Sequence, residues 1–174
     1  MKREIIRVEP IATLLEKYKA PTSTVVRHGD TLYLTGCPPF DKDGEIIKGP
    51  GTIKAQTEAV LEQLKLMLET AGSSLENVLK CNIYCTSVDL FTDVNEVYRK
   101  YFPKDWPARI FISVPAWNGG FDIEIDCIAA VRLAVQRKRR SSHVLGHLRS
   151  EPAYHRIQHV PRHREDAEAG AGVR

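Results

Sequence analysis

Phe121-Asp122-Ile123-Glu124-Ile125-Asp126-Cys127 alternates apolar and acidic side chains without a break. A strict period of two predicts a β-strand, with Asp122, Glu124 and Asp126 on one face and the four apolar side chains on the other. Three carboxylates in register repel one another unless water or a cation attends them. They read either as the solvated outer face of an edge strand or as a face that turns one carboxylate into a subunit or ligand cleft.

Upstream, the turn-rich Trp117-Asn118-Gly119-Gly120 sets this strand (121–131) apart from another at 109–114. Before Pro103 and Pro107, the residues Leu90, Val94, Val97, Tyr98, Tyr101 and Phe102 recur at helical spacing and predict a helix over 90–102. Residues 77–86 have strand composition, with Lys80, Asn82 and Tyr84 on one face and Cys81, Ile83 and Cys85 on the other. A first helix over 52–71 carries the apolar stripe Val60, Leu61, Leu64, Met67 and Leu68 and stops at Gly72. Earlier still, short strands at 24–26 and 31–36 flank the turn His28-Gly29-Asp30. Asp41-Lys42-Asp43-Gly44 is a tight turn leading to a third short strand at 45–47. The order β-β-β-α-β-α-β-β predicts an α+β fold, one mixed sheet carrying two helices on one face.

The chain has 174 residues, 43% hydrophobic and 27% charged, which suits one domain with a real core. Its net charge of +3 is unevenly placed. Residues 137–174 hold nine of the 25 Lys/Arg but four of the 22 Asp/Glu, leaving 16 against 18, a balance of −2, in residues 1–136. The body therefore has no positive excess to attract nucleic acid. We expect a single domain over 1–136 and a basic, His- and Arg-rich tail over 137–174 that is disordered or loosely attached. In that tail His155, His159 and His163 are spaced four apart, but Pro161 interrupts the helix they would need to bind metal. No run approaches the ~18–20 apolar residues of a membrane span, and MKREIIRVEP lacks the pattern of a secretory signal. With no export signal, the four cysteines are expected to be reduced thiols of a cytoplasmic protein.

Little of the usual catalytic equipment is present. Cys81 and Cys85 lie four apart in a strand, ~13 Å from each other, too far for one metal or a disulfide. They read as core thiols. Cys37 and Cys127 have no local activating group, and His28, the body's one histidine, sits in a turn. No phosphate-cradling glycine loop or dinucleotide fingerprint occurs. The remaining charged feature is Arg109, which opens a strand after Trp106-Pro107-Ala108. If strands 109–114 and 121–131 were antiparallel neighbours, Arg109 would lie level with the three carboxylates. It then reads either as a structural ion pair or as a fork aimed at a substrate carboxylate.

At these residues the chain resembles the Rid family (YjgF, or reactive intermediate deaminase). The likeness runs from about residue 20 to 131 through Ala20-Pro21, Leu34-Thr35-Gly36, Ala55-Gln56-Thr57, Ala71-Gly72-Ser73-Ser74-Leu75, Val94-Asn95-Glu96-Val97-Tyr98, Pro107-Ala108-Arg109 and Ile123-Glu124-Ile125-Asp126. The resemblance implies a chorismate-mutase-like homotrimer with clefts between subunits. It also implies cofactor-free hydrolysis of 2-imino or 2-enamino acids to 2-oxo acids and ammonia, with no metal. Arg109 would grip the substrate carboxylate and Glu124 would place the attacking water, while Asn95 and Thr35-Gly36-Cys37 border the cleft. Beside Arg109, Glu124 is expected to stay ionised at neutral pH.

Three features depart from the family pattern, one of them the Trp117-Asn118-Gly119-Gly120 connector, which stands where a basic or proline-bearing loop is more typical; the other two are single positions. Thr22 follows Ala20-Pro21 where an aromatic residue is usual, and Phe111 stands two after the arginine where a small or thiol residue is common. Both are expected to border the substrate and to bear on which substrate is taken. Besides deamination of small imines such as 2-iminobutyrate, three readings remain: a non-catalytic module binding small carboxylates such as 2-oxo acids, a deaminase of a larger, aminomuconate-like enamine, and a ribonuclease. Partners other than small molecules and further copies of the chain are not expected; neither membrane nor nucleic acid is.

Overall fold

The stripe Val60, Leu61, Leu64, Met67 and Leu68 forms the buried face of α2 (Ile53–Thr70), the long helix of the protein. Gly72 takes the left-handed conformation just beyond it, at φ 78°, where a side chain would be strained. Beside α2 lies α3 (Phe91–Tyr101), which buries Val94, Val97 and Tyr98. Exposed polar contacts link the two helices: Lys54 Nζ reaches Glu96 at 2.6 Å and Asp93 at 3.4 Å, and the Tyr101 hydroxyl donates to Glu62 at 2.8 Å. Such surface pairs add little stability singly; the apolar stripes hold the helices down. The computed structural model describes residues 2–131, so the tail 137–174 and its three spaced histidines lie outside the described residues.

The helices cover one sheet of six strands: β1 (Glu4–Ile6), β2 (Val25–His28), β3 (Thr31–Leu34), β4 (Val78–Cys85), β5 (Ala108–Ser113) and β6 (Ile123–Ala130). Their spatial order is β1-β2-β3-β6-β4-β5. β4 and β5 run parallel, joined through α3, and every other pair is antiparallel. The α+β class and the mixed sheet are as the sequence predicts, but three details differ.

First, residues 45–47 form no strand; the segment makes a single bridge, Phe40 to Ile46. Lys48-Gly49-Pro50-Gly51 follows at once and stops pairing from propagating. The third N-terminal strand is instead β1, followed by a third helix, α1 (Ile11–Lys17), which buries Ile11, Ala12 and Leu15 in the common core. Second, β6 is not an edge strand. It lies between β3 and β4, and Ile123, Ile125, Cys127 and Ala129 are fully buried on its helix-covered side. Third, β5 and β6 are not neighbours, because the parallel β4–β5 pair puts β4 between them. Any alignment of Arg109 with the carboxylates across a hairpin is thereby removed.

All four cysteines are free and buried. Cys81 faces Cys127 across the β4–β6 ladder rather than Cys85. Burial, more than any neighbour, pushes the Cys81 thiol up to about 11 and the Cys37 thiol up to about 12, so neither is a nucleophile near neutral pH.

Candidate active site

Strand register sorts the site residues onto two faces. Arg109 pairs with Cys81, whose side chain is in the core, so Arg109 and, two residues on, Phe111 project on the helix side. Glu124 pairs with Tyr84 on the face that no helix among the described residues covers. Through β4 the two Cα atoms are three residues and two strand spacings apart, ~14 Å, with their side chains on opposite sides of the sheet.

On the helix side, Arg109 Nη1 donates to Asn95 Oδ1 of α3 at 2.7 Å. The guanidinium lies 4.9 Å from the centre of the Tyr98 ring and 5.7 Å from that of Phe91. These contacts fix its orientation through one nitrogen and one face. Among the described residues no carboxylate pairs with it, and the residue is exposed. Burial and the neighbouring Cys81 thiol raise the Tyr98 hydroxyl far above its ordinary value, so the ring beneath Arg109 stays a neutral phenol. A cavity of about 300 Å³ opens beside the arginine, walled by Phe91, Asn95, Tyr98, Trp106 and Pro107. Phe111 stands behind this wall, edge-on to Phe91 at 5.2 Å, and does not line the cavity.

The three carboxylates have different fates: Glu124 and Asp126 face the open side, but Asp122, just before β6, bonds to Gln56 of α2 and does not share that face as the sequence predicts. Asp122 accepts from Gln56 Nε2 at 2.9 Å and Thr86 Oγ1 at 2.7 Å, and Asp126 accepts from Asn82 Nδ2 at 2.7 Å. These two are structural. The half-buried Glu124 carboxylate accepts no hydrogen bond among the described residues. Burial first, and then the negative charge of Asp126, push it up to about 7. The expectation that Arg109 keeps it ionised does not hold within one protomer, because the sheet stands between them. No group of three or more metal-ligating side chains occurs among the described residues.

Gly36 lies against Glu124. A Cβ at Gly36 would stand 2.9 Å from Glu124 Oε2, so the absence of a side chain lets the carboxylate rest there. Thr35 adjoins it and shares a hydrogen bond of 3.1 Å with the exposed Thr22, hydroxyl to hydroxyl. Cys37, though next in sequence, turns its side chain into the core, and only its backbone can border a cleft. The predicted residues thus form two clusters: Arg109, Asn95 and the Phe111-backed aromatics on one face, and Glu124, Gly36, Thr35 and Thr22 on the other. Phe91, Tyr98 and Trp106 were not singled out as site residues from sequence. Tyr98 keeps helical core spacing, and only the Trp-Pro step before Arg109 hints at a built wall.

Most of the described residues match known proteins in sequence and fold. The family described as Endoribonuclease L-PSP matches residues 16–131. A RutC family protein of Pyrococcus horikoshii is 42% identical over 110 residues, covering 63% of this chain and 86% of the relative. Crystallographically, RidA of an Antarctic Psychrobacter is similar at 35% identity and TM-score 0.60, over 64% of this chain and 89% of that one. The YjgF gene product of E. coli is similar at 27% identity and TM-score 0.64, over 74% and 99%. With a six-stranded mixed sheet under three helices and a matching segment that spans most of the described residues, the chain belongs to the Endoribonuclease L-PSP family, the group that includes RidA and YjgF.

Proposed function

We propose that this protein hydrolyses 2-imino and 2-enamino acids to 2-oxo acids and ammonia in clefts between the subunits of a homotrimer. The observation that carries the reading is the state of Arg109: exposed, held by Asn95, without an acidic partner among the described residues, and set at the mouth of a cavity. A guanidinium so placed suits a substrate carboxylate. Glu124 supplies the second requirement, a carboxylate whose proton affinity is poised near neutrality, as a general base requires.

Because the two groups lie on opposite faces of one sheet, a complete site takes Arg109 from one protomer and Glu124 from the next. The uncovered sheet face favours such assembly, since Tyr33, Ile110 and Ile112 are exposed on it around the carboxylates. In the joined site, Arg109 fixes the substrate carboxylate and Glu124 takes a proton from water. The water oxygen bonds to the C=N carbon, the nitrogen gains protons, and the C–N bond breaks to release ammonia. Neither an oxidant nor a covalent enzyme intermediate is needed, so orientation and base catalysis supply the rate.

The test is ammonia release from freshly generated 2-iminobutyrate. Activity should scale with protein and collapse in Arg109→Ala, a loss on the order of 2–5 kcal/mol if the pair is desolvated. Equal rates with and without the protein would remove the proposal. Saturable 2-oxo acid binding without turnover would instead favour a non-catalytic binding module. RNA cleavage, which the family's description names, has less support: the body is slightly acidic, and among the described residues His28, exposed at the end of β2, is the sole histidine.

A further inference from the structure

We propose that the cavity beside Arg109 accepts an aromatic side chain, so that the preferred substrates are 2-imino acids bearing a phenyl-, phenol- or indole-type group. This rests on the deaminase reading and narrows it to a substrate class. Three of the cavity walls are rings: Tyr98 is buried with the guanidinium over it, while Phe91 and Trp106 keep exposed area. Trp106 is 68% exposed and Phe91 43% exposed, a large apolar area left to solvent in the cavity that Arg109 lines.

Neither ring is loose. The Trp106 indole Nε1 donates to the Phe102 carbonyl at 2.8 Å, and Phe91 is braced edge-on by Phe111 at an interplanar angle of 78°. Pro107 stiffens the backbone between Trp106 and the strand that carries Arg109. A slot preset in this way gains from a flat ring without ordering its own side chains first.

Size points the same way. A cavity of ~150 Å³ can hold benzene, whereas this one has about 300 Å³. A carboxylate on Arg109 with a phenyl group attached through a short chain fills it, while the ethyl group of 2-iminobutyrate leaves most of it empty. The departure at Phe111 gains a role here, since its ring braces the wall rather than touching substrate. Arg99 also reaches the cavity, from the exposed end of α3, and is the one feature that would suit an acidic side chain.

The reaction balances as before: a C–O bond forms from water, the C–N bond breaks, and ammonia leaves with no change in oxidation state. The imines of phenylalanine, tryptophan, 2-aminobutyrate and aspartate can be generated in the assay by amino-acid oxidases with catalase present. The expected result is at least about tenfold higher kcat/KM for the phenylalanine imine than for 2-iminobutyrate. Trp106→Ala should lower that ratio about tenfold and Trp106→Phe should largely keep it, with Phe91→Ala as a second variant. Calorimetry should show phenylpyruvate binding more tightly than 2-oxobutyrate. Turnover of 2-iminobutyrate with a ratio at or below one, a ratio unchanged in Trp106→Ala, or a preference for the aspartate imine overturns this proposal and leaves the deaminase reading standing. Turnover of none of the four imines overturns both.

Discussion

Arg109 and Glu124 stand on opposite faces of the same sheet, with β4 between their strands. No rotamer change brings them together in one protomer, so a site that uses both is shared between copies. Arg109→Ala and Glu124→Gln should each be inactive alone. Co-assembled from equal amounts, they should recover activity, because some clefts then receive an intact arginine from one subunit and an intact glutamate from its neighbour. Random assembly of a cyclic oligomer leaves about a quarter of such clefts intact. Ammonia release from the mixture, compared with the two parents, measures it; no recovery after verified subunit exchange would mean that the two groups do not act in a shared site.

The half-buried Glu124 carboxylate makes stability depend on pH. Its value rises from 4.5 to about 7 on folding, so the folded state holds this proton more tightly than the unfolded chain. The stabilisation is complete below about pH 4.5 and is lost as pH rises through about 7. Glu124→Gln should remove that slope and be the more stable form above about pH 7. In an assembled cleft a neighbouring guanidinium draws the carboxylate down, so Arg109→Ala should move its titration upward. Paired denaturant titrations across this range, wild type against variant, check the first point. Carboxyl NMR of both forms checks the second.

Periodicity and strand composition made the main helices and five of the six strands legible, most plainly where a long apolar stripe meets the core. The stripe of α2 and the alternation of β6 are examples. α1 and β1 were illegible because a seven-residue helix and a three-residue strand carry too few periods to rise above a polar background. The sequence also pointed to Arg109 and Glu124 but not to their separation. That depends on the parallel pairing of β4 with β5, a long-range choice that leaves no local mark. Of the acidic residues at 122, 124 and 126, only folding shows which is unpartnered, since the donors Gln56, Thr86 and Asn82 come from other segments.

Asn95 should act through Arg109. Its side-chain oxygen accepts from the guanidinium at 2.7 Å, a charge-assisted bond from the body of α3 to the edge strand. Asn95→Ala releases the guanidinium to other rotamers and should lower kcat/KM about tenfold, on the order of 1.5 kcal/mol, chiefly through KM. Asn95→Asp keeps the acceptor but adds a charge that competes with the substrate carboxylate, so it should be the more damaging change. Steady-state kinetics of both variants separate positioning from simple packing, for which Asp would be the milder substitution.

Gly36 gives the sharpest test of how Glu124 is placed. Its backbone is not in the left-handed region, so alanine fits the chain there, yet the new Cβ would meet Glu124 Oε2 at 2.9 Å. Contacts that short are essentially never tolerated, and the carboxylate, as the flexible partner, must move by a few tenths of an ångström or more. Unfolding stability should therefore change by less than about 1 kcal/mol, while kcat falls ~10- to 100-fold as the base leaves its line to the water. Substrate affinity, set on the far face by Arg109, should hold. Equal kcat in Gly36→Ala and wild type would mean that the position of Glu124 against Gly36 is immaterial to turnover, and the role assigned to that carboxylate would fall with it.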